Sequence, residues 1–340
     1  MDHDRYSRQI RFSGIGLDGQ SALRRGHAVI VGLGALGSAI AETLTRAGIG
    51  TLTILDRDYV ERSNLQRQTL YTEEDAASQL PKAIAARQRL TLLNPEVTIH
   101  AHVLDAGPKE LEAFLPEAQL LLDGSDNFDT RLMLNDLSHK HRIPWIYGAC
   151  VGSAGMSFTI LPGETPCLRC LLSSGAVSGE TCDRGGIIAP AVQTVAAYQA
   201  AEALKLLTGR KDSLRSSFLS FDLWRNQHLE LDLSGMRTPH CPTCGQTPTF
   251  PHLTTDNRVK AAVLCGRDTV QLRPAGGLPL SLDGLAELFA RMDGQLDRNP
   301  YLLSFSHDGK RLVFFPDGRI LVHGTKSIAE AKRLYHGLLG

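Results

Sequence analysis

Apolar residues in the first half of the chain fall into short runs that are separated by amphipathic stretches. Residues 27–33, HAVIVGL, predict a buried strand, which leads into the turn GLGALG, a helix at residues 38–47 and a second strand at residues 51–55. A strand, a helix and a second strand in this order form the β-α-β unit from which parallel sheets are built. The start of the chain therefore predicts a parallel α/β domain.

The same alternation continues beyond the second strand. It predicts a helix at residues 81–93, strands at 97–103 and 120–123, a helix at 130–140 and a strand at 144–147. Repeated units of this kind give an open sheet that is wound in both directions from its centre. We therefore expect a Rossmann-like, doubly wound, mostly parallel α/β fold.

The second half of the chain differs from the first in its composition and hydrophobic pattern. Residues 173–186 are small and polar and predict a loop, whereas residues 191–207 are rich in Ala and Leu and predict a long helix. A linker is predicted at residues 247–256. We expect an α/β domain over residues 1–250 and a small C-terminal α+β unit over residues 257–340.

Two Asp-Gly pairs in the C-terminal unit indicate hairpins. Asp308-Gly309 and Asp317-Gly318 each lie between apolar runs. Asp-Gly accommodates the left-handed backbone of a tight turn between antiparallel strands.

Composition excludes some classes of partner. Lys plus Arg and Asp plus Glu number 36 each, so the formal net charge is zero and no global basic field favours nucleic acid or an anionic membrane. The polar N-terminus lacks the apolar core of a signal peptide, and no apolar run approaches the about 18 residues of a membrane span. We expect a cytoplasmic protein.

The glycine-rich turn indicates a nucleotide site. Gly32, Gly34 and Gly37 form G-x-G-x-x-G between a strand and a helix, and Asp56 ends the next strand. Glycines let the backbone approach a phosphate at the helix N-terminus, and the acidic residue can bind ribose hydroxyls. Taken alone, this pattern suits NAD as well as ATP, and an NAD-dependent oxidoreductase stays an alternative. A glycine turn that serves packing only is the structural alternative.

Charged and polar residues after the second strand favour a triphosphate. Asn64, Arg67 and Gln68 follow this strand closely, and Lys82 comes 15 residues after Arg67. Arg and Lys can neutralise the charge that develops on a departing pyrophosphate. Either residue alone could belong to a solvated loop, but the two together beside a phosphate loop predict a catalytic role.

An acidic segment follows the strand at residues 120–123. Asp126 in LLLDGSDNFDTR is our candidate ligand for Mg²⁺, because a carboxylate at a strand's carboxyl end is well placed for a metal ion. Asp123 and Asp129 are rivals, and each of the three could instead cap a helix.

Four of the seven cysteines form two C-x-x-C pairs. Four thiolates suit a closed tetrahedral zinc site with no open position for catalysis. A redox-active disulfide is the alternative, and the adjacent His240 is interpreted as a bystander. The four cysteines are Cys167, Cys170, Cys241 and Cys244.

The remaining cysteines are isolated. Cys182 lies in the small-residue loop with Arg184 two residues on, and a nearby Arg favours the thiolate. A loop cysteine with no role is the alternative. Cys150 is interpreted as a packing residue, and Cys265 has no evident partner.

A set of motifs in one order resembles a known family. The motifs are RYSRQI, GLGALG, SNLQRQ, LPK, DGSDN, PCLRC, TCDRGG and HCPTCG. Over about residues 1–250 they resemble the E1-like adenylyltransferase family of ThiF, MoeB and HesA proteins, to which ubiquitin-activating enzymes also belong. The C-terminal unit, with VLCGRDTVQLRP and DGRILVHGTK, is most similar to that of the Bacillus-type members.

The resemblance implies a role for each matching residue. Asp56 would bind the ribose and Gly34 with its neighbours would line the nucleotide, whereas Asn64, Arg67 and Lys82 would hold the phosphates. Asp126 would hold Mg²⁺. One departure is Ala35, where the family usually has a glycine.

Two further roles follow from the same resemblance. Arg8, from RYSRQ, would reach the ATP of the other subunit of a homodimer. Cys182 matches the position of a conjugating cysteine, which in ThiF-like enzymes is implied to link to the sulfur carrier and in MoeB-like enzymes is dispensable.

The implied reaction is ATP- and Mg²⁺-dependent adenylylation of the C-terminal Gly-Gly carboxylate of a small ubiquitin-like sulfur carrier. For the Bacillus-type members this carrier is of the ThiS type, in thiamine thiazole biosynthesis, with a sulfurtransferase or cysteine desulfurase as a further partner. A MoaD-type carrier of molybdopterin synthesis, or a non-catalytic scaffold for a ubiquitin-like protein, are the alternatives.

Overall fold

The computed structural model describes residues 4–175, 186–233, 235–254, 261–264, 268–273 and 281–339. Two compact units are present, Met1–Thr255 and Asp256–Gly340. Most of the predicted loop at 173–186 lies outside the described residues. Within the described ranges, no helix has the length and apolarity needed to span a bilayer.

The first unit is built on a sheet with eight strands among its described residues. In chain order they are β1 (His27–Val31), β2 (Thr51–Asp56), β3 (Thr98–Val103), β4 (Leu120–Asp123), β5 (Trp145–Val151), β6 (Ala154–Ile160), β7 (Phe218–Asp222) and β8 (Gln227–Leu231). Their spatial order is β3-β2-β1-β4-β5-β6-β7-β8. Strands β1 to β5 pair in parallel, whereas β6, β7 and β8 extend the sheet in antiparallel fashion. The predicted doubly wound, mostly parallel fold is confirmed.

The strand order fixes where a ligand can bind. The chain leaves β1 toward β2 on one side, while β4 pairs with β1 on the other, so the winding direction changes between β1 and β4. Ligands of open α/β sheets bind at the carboxyl ends of the strands at such a switch point. The glycine turn after β1 and the acidic segment after β4 meet there.

Helices cover both faces of this sheet. They are α1 (Ser7–Arg11), α2 (Gly16–Arg24), α3 (Ala35–Ala47), α4 (Glu73–Ala77), α5 (Lys82–Leu93), α6 (Pro108–Glu112), α7 (Phe128–His141), α8 (Leu168–Ser173), α9 (Ala189–Leu207) and α10 (Pro251–Thr254). Apolar side chains of α3, α5 and α9 form one core, and those of α6, α7 and α8 form the other. Because successive strand residues point to opposite faces, Ile30 of β1 belongs to the first core and Val31 to the second.

Local signals set the ends of the helices that flank the site. Helix α3 ends at Gly48, whose φ of 84° is in the left-handed region that glycine tolerates. Helix α7 begins after Asn127, whose side chain accepts a hydrogen bond from the Thr130 amide.

The predicted linker at residues 247–256 needs correction. Its residues Pro251–Thr254 form the short helix α10, which packs on α7, and the His252 amide donates to Asp136 Oδ2 at 2.9 Å. This hydrogen bond joins residues that are 116 positions apart, so no local pattern could reveal it.

The second unit contains an antiparallel sheet. Its described strands are β9 (Ala261–Leu264), β10 (Thr269–Leu272), β11 (Gln295–Arg298), β12 (Leu303–His307), β13 (Lys310–Phe314) and β14 (Ile320–His323), in the order β11-β12-β13-β14-β10-β9. Helices α11 (Leu282–Phe289) and α12 (Ile328–Leu339) contribute to its core. Both Asp-Gly hairpins are confirmed, since β12 pairs with β13 and β13 with β14. At the first of them Asp308 and Gly309 have φ values of 48° and 71°.

Candidate nucleotide site and cysteine cluster

The three glycines of the loop after β1 serve different purposes. A Cβ on Gly37 would lie 1.9 Å from the Gly32 carbonyl oxygen, and one on Gly32 would lie 2.6 Å from the oxygen of Gly124. Packing therefore requires these two glycines. A Cβ on Gly34 would meet nothing closer than 3.9 Å. Gly34 leaves open space at the N-terminus of α3, where backbone amides favour a phosphate.

Asp56 holds the glycine loop against β2. Its carboxylate accepts hydrogen bonds from the backbone amides of Leu33 and Asp58, each at 2.6 Å. Burial raises the pKa of Asp56, while the nearby Lys82 lowers it. The carboxylate is thus fixed at the carboxyl edge, beside the loop as the sequence predicts, and its role toward a ribose stays a prediction.

Lys82 is brought to this edge by the start of α5. Its side chain is 5% exposed, and Nζ lies 3.5 Å from Asp58 Oδ2. Tyr71 connects the two segments, because its hydroxyl donates to the Leu33 carbonyl at 2.8 Å and lies 3.4 Å from the Lys82 carbonyl. Burial raises the pKa of Tyr71 well above 10, so this hydroxyl stays a donor.

The segment that carries Asn64 and Arg67 also lies at the loop. Asn64 is buried, and its Oδ1 accepts from the Glu61 amide at 3.2 Å. Arg67 is half-buried and donates to the Ser63 carbonyl at 2.9 Å. The neighbouring Gln68 is buried, and its Nε2 lies 3.9 Å from the position that a Cβ on Gly34 would take.

The acidic segment after β4 contains one buried carboxylate, Asp123, and two exposed ones, Asp126 and Asp129. Asp123 is buried and forms an ion pair with Arg131 at 3.1 Å, and it accepts two hydrogen bonds from Ser125. Burial raises the pKa of Asp123, and Arg131 lowers it. Asp126 is exposed at the same edge. Asp123 is therefore a structural residue, which leaves Asp126 better placed than Asp123 for a metal ion.

Arg57 directly follows β2 and is close to several carboxylates of the carboxyl edge. Burial alone would lower the pKa of Arg57, but the negative charges of Asp58, Asp105 and Asp126 raise it above its usual value. Its Nη1 is 3.3 Å from Asp105 Oδ1. The carboxyl edge is thus acidic near β2 and β3, an environment in which cations are stabilised.

Arg8 is not brought to the loop of its own chain. Helix α1 is held at the opposite edge of the sheet, where Gln9 donates to the Ala47 carbonyl at 2.9 Å and Tyr6 lies against Gly48. Helix α3 has 13 residues, so its two ends are about 20 Å apart at 1.5 Å per residue. This separation places Arg8 away from the glycine loop of its own chain, and its role toward the ATP of another subunit stays a prediction.

The two C-x-x-C pairs converge in a buried cluster. Cys167 Sγ lies 3.8 Å from Cys170 Sγ and 3.6 Å from Cys241 Sγ, and the sulfurs of Cys170 and Cys244 are 3.5 Å apart. All four sulfurs lie within 4.8 Å of one another. Tetrahedral zinc with Zn–S bonds of about 2.3 Å places sulfurs about 3.8 Å apart. The cluster is therefore a candidate metal site.

Charge also favours a cation at this cluster. A hydrogen bond from Cys167 lowers the pKa of Cys244 to about 4, and the same bond raises the pKa of Cys167. One thiolate thus forms easily, whereas a second is opposed by the first. Four thiolates in this buried space need a metal ion to balance them.

A polar shell around the cluster was not predicted from the sequence. Asp136 of α7 accepts hydrogen bonds from the Thr243 hydroxyl and, at 2.9 Å, from the His252 amide. The Thr243 amide in turn donates to Cys241 Sγ at 3.5 Å, and Arg237 donates to the Cys244 carbonyl at 2.9 Å. Such outer contacts orient metal ligands, and the two contacts of Asp136 join residues that are 107 and 116 positions apart.

The other cysteines give less information. Cys182, Arg184 and Cys265 lie outside the described residues. Cys150 is buried in the core, with its sulfur 3.8 Å from the Ala191 carbonyl, in agreement with a packing role.

The fold and the glycine loop define an α/β nucleotide-binding domain, to which a four-cysteine cluster is added. The model of the ThiF family matches residues 6–243, and the chain belongs to this family.

Two curated relatives extend this result. The chain is 48% identical over 336 residues to "Sulfur carrier protein ThiS adenylyltransferase" of Bacillus subtilis (strain 168), covering 99% of each chain. It is 39% identical over 244 residues to "Molybdopterin-synthase adenylyltransferase" of Escherichia coli (strain K12), which covers 71% of this chain and 96% of that relative.

Solved structures support the fold. The structure described as E. coli MccB with ATP is similar with a TM-score of 0.61 and 23% identity, covering 71% of this chain and 74% of that chain. At this level of identity the likeness bears on the fold alone.

Proposed function

We propose that this chain is an enzyme that adenylylates the C-terminal Gly-Gly carboxylate of a ThiS-type sulfur carrier protein, with ATP and Mg²⁺. The observation that carries the proposal is the 48% identity to the ThiS adenylyltransferase over 99% of both chains. The molybdopterin-synthase relative matches only 71% of this chain. A MoaD-type carrier is therefore the second candidate substrate.

The proposal assigns the two parts of the chain different tasks. Residues 1–250 form the adenylation domain with its zinc site, and residues 257–340 form the additional C-terminal domain. The B. subtilis relative is matched over 99% of both chains, which includes the second unit.

In the proposed reaction the carrier's terminal carboxylate attacks the α-phosphorus of ATP. A bond forms between a carboxylate oxygen and this phosphorus, and pyrophosphate leaves with the electrons of the bond that breaks. The carboxylate is already ionised near pH 7, so the reaction needs no strong base. The protein contributes positioning and charge neutralisation.

Each site residue has a place in this reaction. Gly34 leaves room for the phosphates at the start of α3, and Asp56 binds the ribose. Lys82 and Arg67 neutralise the charge that moves onto pyrophosphate. Exposed Asp126 would hold Mg²⁺, which would neutralise negative charge on the phosphates.

Zinc is the ion that we propose for the cluster of four cysteines, with a structural role. The sulfur spacing fits tetrahedral thiolate coordination, and four protein ligands leave no position for a substrate. Cys182 remains a proposed carrier-linking residue, and a sulfurtransferase or cysteine desulfurase is proposed as a later partner.

The decisive experiment is ATP–pyrophosphate exchange with purified ThiS-type and MoaD-type carriers, each with a free Gly-Gly end. We expect exchange with the ThiS-type carrier and little with the MoaD-type carrier. Carriers that lack the last glycine are the matched control and should give none. Exchange with the MoaD-type carrier only would assign the enzyme to molybdopterin synthesis. If the protein binds ATP but gives no exchange with either carrier, the adenylation proposal is contradicted.

Arg8 can serve this reaction only from a second subunit, since α1 is anchored at the edge opposite to its own loop. We therefore expect the Arg8→Ala and Lys82→Met homodimers each to be nearly inactive, and subunit exchange between them to restore activity. The restored activity arises because a mixed dimer has one site with both residues intact. ATP–pyrophosphate exchange, measured on mixtures of the two variants, tests this expectation. The control is the Arg8→Ala variant taken through the same mixing procedure alone. Activity of Arg8→Ala close to that of the wild type, or no recovery on mixing, would refute the role in trans.

A further inference from the structure

Arg131 of α7 links the end of β4, the acidic segment after it and β5. Its Nε donates to Asp123 Oδ2 at 3.1 Å. Its Nη2 donates to the Ser125 carbonyl at 2.9 Å and to the Gly148 carbonyl at 3.2 Å. The side chain is buried. One guanidinium thus joins three acceptors at the carboxyl edge of the sheet, where the glycine loop also lies.

Two aromatic rings restrict this guanidinium. Its Cζ lies 5.6 Å from the centre of the Phe128 ring and 5.4 Å from the centre of the Tyr147 ring. Both distances are within the about 6 Å over which a cation and an aromatic ring attract each other. The packing limits the rotamers of Arg131, so its N–H groups have well-defined directions.

The end of β4 is also held from the other face of the sheet. Gln199 of α9 is fully buried, and its Nε2 donates to the carbonyls of Asp123 at 3.0 Å and Ile146 at 3.2 Å. Helices α7 and α9 belong to different cores. Asp123 is therefore fixed through its backbone by one layer and through its carboxylate by the other.

Gly124 brings the acidic segment against the glycine loop. Its amide donates to the Val31 carbonyl at 2.9 Å, and a Cβ on Gly124 would lie 2.2 Å from the Gly32 carbonyl oxygen. The two segments are thus in close backbone contact. The residues that follow Gly124 consequently begin at a fixed position relative to the glycine loop.

Ser125 connects this fixed position to Asp126. Its amide and hydroxyl donate to Asp123 Oδ1 at 2.9 and 2.6 Å, and its carbonyl accepts from Arg131. The exposed Asp126 is the next residue. Both backbone groups of Ser125 are therefore held by the ion pair between Asp123 and Arg131, directly before the carboxylate to which we assign Mg²⁺.

We propose that Arg131 is a positioning residue for Asp126, whose carboxylate it keeps beside the glycine loop by holding Ser125. This inference rests on the proposed function for the nucleotide and for the role of Asp126 toward Mg²⁺. The buried guanidinium acts through Ser125 and is not itself a ligand. Groups that orient a metal ligand in this way affect how tightly the metal is held.

An arginine suits this position better than a lysine. The side chain has to neutralise the buried Asp123 and to bind the Ser125 carbonyl at the same time. A planar guanidinium presents several N–H groups in fixed directions, whereas an ammonium group is a compact charge on a flexible stem. Arg131→Lys therefore keeps a cation next to Asp123 but loses the directed link to Ser125.

The test compares Arg131→Lys, Asp126→Asn, the double variant and the control Lys140→Met, which removes an exposed cation from the same helix. Calorimetry measures ATP binding to the full-length protein with and without added Mg²⁺. We call the ratio of these two affinities the Mg²⁺ effect. A general loss of ATP affinity lowers both values equally, so the ratio reports on the metal alone.

Asp126→Asn should remove most of the Mg²⁺ effect. Changing a residue that orients a metal ligand lowers metal affinity by about 10- to 100-fold, so Arg131→Lys should lower the Mg²⁺ effect by about tenfold. The double variant should lose no more than Asp126→Asn alone, because both changes remove the same interaction. Lys140→Met should match the wild type.

Ser125→Ala is a milder second variant. It removes the hydroxyl hydrogen bond to Asp123 and leaves the ion pair with Arg131 in place. The Mg²⁺ effect should fall in the same direction as in Arg131→Lys, by a smaller factor. Melting temperatures show which variants are folded. If Arg131→Lys is unfolded, Ser125→Ala decides, and an unchanged Mg²⁺ effect in it would overturn the inference.

Other results would separate the inference from the proposed function. An unchanged Mg²⁺ effect in folded Arg131→Lys, together with a lost one in Asp126→Asn, would overturn the inference alone. Losses that add in the double variant would also overturn it. If Asp126→Asn keeps the full Mg²⁺ effect, the assignment of Mg²⁺ to Asp126 fails and the inference fails with it. If neither carrier supports pyrophosphate exchange while the expected Mg²⁺ effects persist, adenylation fails and the role of Arg131 stands.

Discussion

Replacing Lys82 by methionine should lower ATP–pyrophosphate exchange by about 100- to 1,000-fold, the cost of removing one group that stabilises transition-state charge. Lys82 is buried at the start of α5, so water cannot easily compensate for the loss of its positive charge. The substitution also leaves Asp58, at 3.5 Å from Nζ, without this cation, and it removes the interaction that lowers the pKa of Asp56. Two carboxylates next to a triphosphate then oppose ATP binding as well as catalysis.

The measurements are kcat and KM for ATP in the exchange assay, with Lys109→Met as the control, because Lys109 is an exposed lysine on α6. Lys82→Arg keeps the charge but changes its shape, and we expect it to recover only part of the activity. If Lys82→Met retained more than about a tenth of the wild-type rate, less than one tenfold step of transition-state stabilisation would be lost, and Lys82 would be a structural residue rather than a phosphate ligand.

The parts of this site that could be predicted depend on local spacing. The glycine loop lies between a strand and a helix and contains Gly32, Gly34 and Gly37, and Asp56 ends the next strand. A parallel sheet therefore brings the loop and Asp56 to the same edge. The amphipathic periods of the strands and helices likewise predicted the parallel part of the sheet. These features are encoded within short windows, where pattern and geometry are directly related.

The parts that could not be predicted are long-range. Asp136 looks like one more polar residue on α7, yet it binds Thr243 and His252, more than a hundred residues away. The distinction between Asp123 and Asp126 depends on Arg131, which neutralises only the first. The contacts and roles of these residues are determined by tertiary packing, and no periodic pattern in a single sequence reports on that packing.

Glycine gives an instructive contrast within one motif. The spacing predicted three glycines with a shared purpose, but Gly37 and Gly32 are required by contacts with backbone oxygens, while Gly34 alone faces open space. A bulky residue at Gly34 would block the ligand and keep the fold, whereas one at Gly37 would displace the loop itself. The motif thus combines one binding position with two packing positions.

Removing one thiol of the cysteine cluster should have the largest effect on stability. Cys244→Ser takes away the group with the strongest tendency to ionise, whose pKa is lowered to about 4 by the Cys167 hydrogen bond. Structural zinc contributes about 10–16 kcal/mol in small peptides, so we expect loss of the bound metal and a fall in melting temperature of at least about 10 °C, given about 2–4 °C per kcal/mol. Activity should fall with the folded fraction.

Metal analysis and thermal melts of the full-length protein test this expectation, and Cys150→Ala is the matched control. Cys150 is also buried but lies in the core beside α9, apart from the cluster, so its variant should keep the metal and lose only about 1 kcal/mol. A chelator should reproduce the effect of Cys244→Ser in the wild type and in Cys150→Ala. Because three remaining thiols cannot close a tetrahedral site, Cys244→Ser with an undiminished metal content and melting temperature would show that the cluster is held by packing alone.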